Sequence, residues 1–155
     1  ASESWAALTA KHAQPGVVRA LRGPECDWFA KEAVWAFFTT DWRASREADR
    51  MGVQLQGPEL RLLKPREMIS SSVNAGVVQV PPAGQPIVLL PSRQSVGGYP
   101  RLAAVVSADL GRIAQLRPGD TVRFVETTLA TAHDICLARE RDLARVRMGL
   151  ARLVG

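Results

Sequence analysis

The stretch "QVPPAGQPIVLLPSRQSVGGYPR", residues 79–101, decides how this chain is read. It holds two short apolar runs, a Pro-Pro step, and a double glycine followed by Tyr-Pro-Arg. "GQPIVLLP" is too short for most helices and reads as a strand. Proline suits the end or edge of a strand, because it removes a ladder donor. Gly97 and Gly98 permit positive φ and let a ligand approach bare backbone N–H groups. A sharp hairpin turn asks for the same two residues, so the glycines alone leave both readings open. The Lys-Ser/Thr of a phosphate-binding loop does not follow them, and the G-x-G-x-x-G of a dinucleotide fold is missing.

Working outward, the same grammar of short strands and Gly/Pro turns recurs. "GVVRALRGPE" (residues 16–25) reads as a strand ended by Gly-Pro. In "FAKEAVWAFFTT", Ala33, Val34, Phe37 and Phe38 fall near helical spacing, which predicts a short amphipathic helix. "DWRAS" and "RMGVQLQGP" read as strands, with Val53 and Leu55 alternating against Gln54 and Gln56. "GVVQV" (residues 76–80) and "RLAAVV" (residues 101–106) are two more. "SADLGRIAQL" predicts a helix with Ser107 as its N-cap. "RPGD" is a turn, and "TVRFVE" a strand in which Val122 and Phe124 alternate with polar neighbours. Beyond it, Leu129, Ala132, Cys136, Leu143, Val146, Leu150 and Leu153 keep a three-four spacing broken only by Arg139, the mark of a long amphipathic helix. That helix docks either on its own domain or on a partner subunit or missing part of the chain. The order of elements predicts a mainly β fold with added helices, a β-barrel. Residues 1–16 are expected to be a flexible or truncated lead-in, 17–128 the barrel, and 129–155 the C-terminal helix.

The chain has 155 residues, 46% hydrophobic and 23% charged, ordinary values for one globular domain. A chain of this size buries roughly two-thirds of its unfolded surface, enough for a core without staples. No apolar run approaches the roughly 20 residues that span a bilayer, and no signal-peptide pattern opens the sequence. Cys26 and Cys136 are far apart and read as free thiols of a reducing cytosol. His12 and His133 have no partner at ligand spacing, so no zinc site is expected. No G-x-S-x-G elbow supports a serine triad. The net charge of +5 invites a nucleic-acid reading. The densest basic run, "RERDLARVR" (residues 139–147), has no aromatic residue interleaved for stacking, and reads instead as a solvated helix face.

Polar residues around the opening stretch supply the candidate chemistry. Gln79, Gln85 and Gln94 bring amides that donate and accept at once, suited to a planar urea, lactam or ureido group. Tyr99, the only tyrosine, offers a ring wall and a hydroxyl. Arg93 and Arg101 can hold a carboxylate. The same groups can satisfy loop backbone or face water, and the residues by themselves do not choose.

Several stretches in matching order resemble one family. They are "GPECDWF" (23–29), "AFFTTDWRAS" (36–45), "DRMGVQLQGPEL" (49–60), "GVVQVPPAGQPIVLL" (76–90), "RQSVGGYPR" (93–101) and "VSADLGRIAQLRPGDTVRF" (106–124). Together they resemble the biotin-dependent carboxyltransferase-like family, also called allophanate hydrolase subunit two or the C subunit of the bacterial ATP-dependent 5-oxoprolinase. The resemblance covers roughly residues 17–126. It implies a cyclophilin-like β-barrel and a cytoplasmic complex with a homologous sister subunit (the B subunit, or allophanate hydrolase subunit one). Related modules form the carboxyltransferase part of urea carboxylase, which moves a carboxyl group from carboxybiotin to urea. Members are typically about twice as long, so this chain resembles their C-terminal portion. The family pattern usually has Ser at Ala48, an acid at Ser71, Pro at Ala75, Asp at Ser92 and Thr at Val96. Two carboxylates and two hydroxyls are thereby missing around the expected pocket, including a possible base beside Arg93.

The resemblance implies a subunit of a 5-oxoprolinase-type or carboxyltransferase-type complex acting on a small cyclic amide or urea-like substrate. Gln79 and Gln94 are expected to bind the amide, Gly97 and Gly98 to present backbone donors, and Tyr99 with Arg93 or Arg101 to orient the substrate. Asp49 and Arg50 are expected to brace the loop as an ion pair. Donors aimed at a developing oxyanion are each worth ~3 kcal/mol. With no P-loop and no Met-Lys-Met biotinylation site, the chain itself is expected to bind no cofactor. ATP or carboxybiotin is expected through partner subunits. The alternative is a non-catalytic module that pairs with the sister subunit and regulates it. Neither nucleic acid nor membrane is expected as a partner.

Overall fold

The computed structural model describes residues 16–46, 51–92 and 96–154. Alternating side chains generate its main feature, a closed barrel. The strands are β1 (Val17–Arg22), β2 (Asp41–Ala44), β3 (Gly52–Gln56), β4 (Ser71–Ser72), β5 (Val77–Gln79), β6 (Ile87–Leu89), β7 (Val96–Gly97), β8 (Arg101–Val105) and β9 (Thr121–Glu126). Seven of them close in the order β1-β8-β5-β6-β3-β2-β9, and β4 pairs with β7 in a separate two-stranded ribbon. Every barrel pairing is antiparallel except the one that closes it: β1 runs parallel to β9, with Val17 opposite Arg123 and Ala20 opposite Glu126. The mainly β architecture with helical additions is thus present.

The interior follows from the period of two. Val53 and Leu55 on β3 and Val122 and Phe124 on β9 point inward, meeting Val18, Val78, Val88 and Leu102. Helix α1 (Lys31–Thr39) buries Ala33 and Phe37, with Val34 and Phe38 packed beside them. Phe37 stacks on Phe124 at 4.5 Å with an 18° interplanar angle. The buried Trp42 ring donates its Nε1–H to the Phe37 carbonyl at 3.1 Å, so this large apolar body keeps its polar handle satisfied.

A 3₁₀ turn (Ser107–Asp109) leads into helix α2 (Leu110–Ala114). Ser107 does not cap a helix, contrary to the sequence expectation; its Oγ lies 3.2 Å from Cys136 Sγ. Asp109 anchors the turn instead. Its carboxylate accepts from the Arg19 backbone N–H at 2.9 Å and from Arg19 Nε and Nη2, each at 2.7 Å. Burial raises the Asp109 carboxyl, but the Arg19 hydrogen bonds outweigh it and hold the group below the usual carboxylate range.

Helix α3 (Leu129–Val154) begins three residues after β9 and packs on β1 and the 107–109 turn. Ala132 is buried there, and Arg139 donates to the Ala108 carbonyl. Further on, Leu143 is 47% and Leu150 54% exposed. Among its described residues, the apolar stripe therefore docks on its own domain at its start. Cys26 is buried and Cys136 half-buried, both as free thiols. Among the described residues no helix is long and apolar enough to cross a membrane, and no group of three or more His, Cys, Asp or Glu is placed to hold a metal.

Candidate functional site

The segment from Gly57 to Ser70 leaves β3 with no regular structure until β4. Loops of this length inside compact domains are usually functional. Its first half is pinned to its surroundings. Leu60 N–H donates to the Gly84 carbonyl at 2.9 Å, Ala30 N–H to the Arg61 carbonyl at 3.0 Å, and Leu63 N–H to the Trp28 carbonyl at 2.8 Å. Leu62 forms a bridge with Phe29. Opposite stands the segment of residues 79–101: Val80 N–H donates to the Pro100 carbonyl at 3.1 Å, holding the Pro81-Pro82 step beside Gly98–Pro100. Between the two lies a cavity of about 670 Å³, within the range of small-molecule sites. Phe29, Leu60 and Val80 give it apolar surface, while Arg66, Glu67 and Tyr99 bring polar groups to its wall.

The expected site residues separate into three groups. Gly98 and Tyr99 line the cavity, with Tyr99 45% exposed. Gln79, Gly97 and Arg101 do not line it. Gln79 is 5% exposed; its amide lies against the bare face of Gly97, and its Nε2 donates to the Tyr99 carbonyl at 3.4 Å. Arg101 is consumed by Glu25, which accepts from the Arg101 backbone N–H at 3.0 Å, Nε at 2.7 Å and Nη2 at 2.6 Å. The Arg101 hydrogen bond holds the Glu25 carboxyl below its usual range, against an opposing effect of burial. A carboxylate ligand at Arg101 would have to displace this pair. Gln85 closes on Gly57, accepting from its N–H at 2.9 Å and donating to its carbonyl at 3.2 Å, so it satisfies loop backbone. Arg93, Gln94, Asp49 and Arg50 lie outside the described residues, as does Ala48.

The double glycine serves close approach. Neither Gly97 nor Gly98 has positive φ; Gly97 lies in β7, paired opposite Ser71 of β4. A Cβ on Gly97 would overlap the Gln79 amide, and one on Gly98 would stand 3.2 Å from Ser70 Oγ. Ser71 Oγ is buried without a hydrogen-bond partner among the described residues.

Sequence reasoning missed the wall formed by residues 59–68, and with it Arg66. Its signal was the long stretch between two clear strands with neither strand nor helix periodicity, "GPELRLLKPREMIS". The Arg66 guanidinium carbon sits 4.9 Å from the centre of the Trp28 ring.

Comparison with known proteins places this geometry in context. The family model of the carboxyltransferase domain, subdomain A and B, matches residues 2–126. The C subunit of 5-oxoprolinase from Haemophilus influenzae is 40% identical over 131 residues, which cover 84% of this chain and 42% of that protein. Its namesake from Escherichia coli is 43% identical over 115 residues, covering 74% of this chain and 37% of that protein. The chain therefore spans less than half the length of these relatives. The solved urea carboxylase of Kluyveromyces lactis superposes with a TM-score of 0.75 over 81% of this chain and 12% of its own, at 24% identity, a likeness of fold.

Proposed function

This chain belongs to the carboxyltransferase domain family, subdomain A and B, and from that premise we propose that it is part of an enzyme subunit acting on a small cyclic amide or urea-like molecule. The complex is of the 5-oxoprolinase or carboxyltransferase type, ATP-dependent through partner subunits, with the homologous sister subunit as the immediate partner. One observation carries the reading: the segment that bears the family's Gly-Gly-Tyr-Pro text forms one wall of the cavity, through Gly98, Tyr99 and Pro100. In this reading the barrel of residues 17–128 handles the substrate and residues 129–155 are an appended helix. Gly98 contributes backbone to the cavity wall, Tyr99 supplies a ring face and a hydroxyl, and Phe29, Leu60 and Val80 exclude water. Gln79 acts from behind, fixing the Tyr99 carbonyl.

Coexpression of the whole protein with its sister subunits, followed by assay of ATP-dependent glutamate release from 5-oxoproline, tests the proposal. Activity above that of the sister subunits alone is expected, with a loss of at least tenfold for Tyr99→Ala. No gain over the sister subunits removes it. A second reading, the regulatory module, is favoured by the internal commitment of Gln79 and Arg101, two of the groups expected to bind substrate. Capture of the sister subunit without turnover, unaffected by Tyr99→Phe, would select it.

A further inference from the structure

We propose that Arg66 selects an anionic group, a carboxylate, on the molecule that enters the cavity; this rests on the reading of that cavity as the substrate site. Among the described residues seven other arginines are paired with carboxylates, including Arg101 with Glu25, Arg19 with Asp109 and, in the cavity wall itself, Arg61 with Glu59 at 3.0 Å. Arg66 forms no ion pair among the described residues, although it lines the cavity. Its one described contact is with the Trp28 ring, which uses none of its N–H donors. Trp28 is a fixed platform. Its backbone N–H donates to the Glu25 carbonyl at 2.9 Å, and its backbone carbonyl accepts from Leu63 N–H at 2.8 Å. A guanidinium positioned over such a ring is pre-organised for a two-pronged bond to a carboxylate, so less freedom is lost on binding.

The wall as a whole does not attract anions. Glu59 and Glu67 balance Arg61 and Arg66 in the same lining. With Glu59 occupied by Arg61, selection falls to the local contrast between Arg66 and its neighbour Glu67. A carboxylate seated on Arg66 gains a charge-assisted pair, and the charge of Glu67 in the same lining opposes it. That makes Arg66 a specificity residue, and the preference for acid over neutral amide is its readout.

The test is calorimetric titration of the whole chain with 5-oxoproline and with its neutral carboxamide, 5-oxoprolinamide. The wild-type chain is expected to bind the acid about tenfold more tightly than the amide, the size of one charge-assisted pair. Arg66→Gln should erase that preference while amide binding and the melting temperature stay unchanged. Arg66→Lys should restore part of it, and Glu67→Gln should widen it. An Arg66→Gln protein that still prefers the acid overturns the proposal. Equal wild-type binding of acid and amide overturns it too, while leaving the cavity as the site. Failure of the wild-type chain to bind either compound overturns the cavity reading and the role of Arg66 together.

Discussion

Gln79 occupies the space that a side chain on Gly97 would fill, and each residue accounts for the other. The amide is buried and tied to the Tyr99 carbonyl, so it sets the position of the residue that faces the cavity. Gly97→Ala should therefore cost about 1–3 kcal/mol of stability in urea unfolding, because the added methyl must push a buried amide aside. Gln79→Ala in the same chain should recover part of that loss, a non-additivity that a double-mutant cycle measures directly. Glu25 and Arg101 form the second residue-scale device. The folded-state pKa of Glu25 lies below its unfolded value of about 4.3, so the stabilisation is complete above that pH and is lost as pH falls through the depressed folded value. Glu25→Gln should lower stability by about 2 kcal/mol at pH 7. The gap to wild type should close as the pH drops below about 4, and a gap that stays constant down to pH 2 would refute the assignment.

Among the elements, α3 behaves unlike the rest. It meets the barrel through Ala132 and Arg139, then continues with Leu143, Met148 and Leu150 exposed. A helix is cooperative but costly to nucleate, and short unsupported lengths are marginal in water. Backbone amides beyond Arg139 should exchange with deuterium far faster than those of β1 and β8, which sit in the closed ladder. Substituting Leu143 or Leu150 with Ser should shift stability by less than about 0.5 kcal/mol. Much of this element content was legible in the sequence. The alternation of Val53 and Leu55, and of Val122 and Phe124, names strands and their inner faces, and the 3.6-residue spacing of Ala33 and Phe37 names α1. Elements held by contacts remote in sequence were not legible. β4 is two serines with no pattern of its own, and exists because Gly97 pairs with Ser71. The cavity wall of residues 59–68 has no period, and is shaped by Phe29, Trp28 and Gly84. Ser107 misled for a related reason: a capping residue in the right local place lost to a carboxylate whose partner, Arg19, lies ninety residues away.

For the whole molecule, the decisive event is closure. β9 is held on both sides, parallel to β1 and antiparallel to β2, while Phe124 carries the stack onto Phe37 of α1. Exposed ion pairs line the same strand, Arg22 with Glu126 and Arg123 with Asp41, and pairs of this kind contribute little on their own. Stability must then come from the apolar seam, and the barrel is complete once Glu126 is in register with Ala20. No periodicity foretells that closure, since the two strands it joins lie about a hundred residues apart and share only the need to bury a face. Two truncations separate barrel from helix. A chain ending at Thr128 should keep one cooperative thermal transition, lowered by no more than about 8 °C, because it gives up Ala132, the Ser107–Cys136 contact and the Arg139–Ala108 bond but none of the seam. A chain ending at Gly119 loses β9 altogether, exposes the edges of β1 and β2, and leaves Phe37 without its stacking partner; it should show no cooperative transition. If instead the Thr128 chain fails to fold, the helix is part of the core, and the barrel does not stand on its own closure.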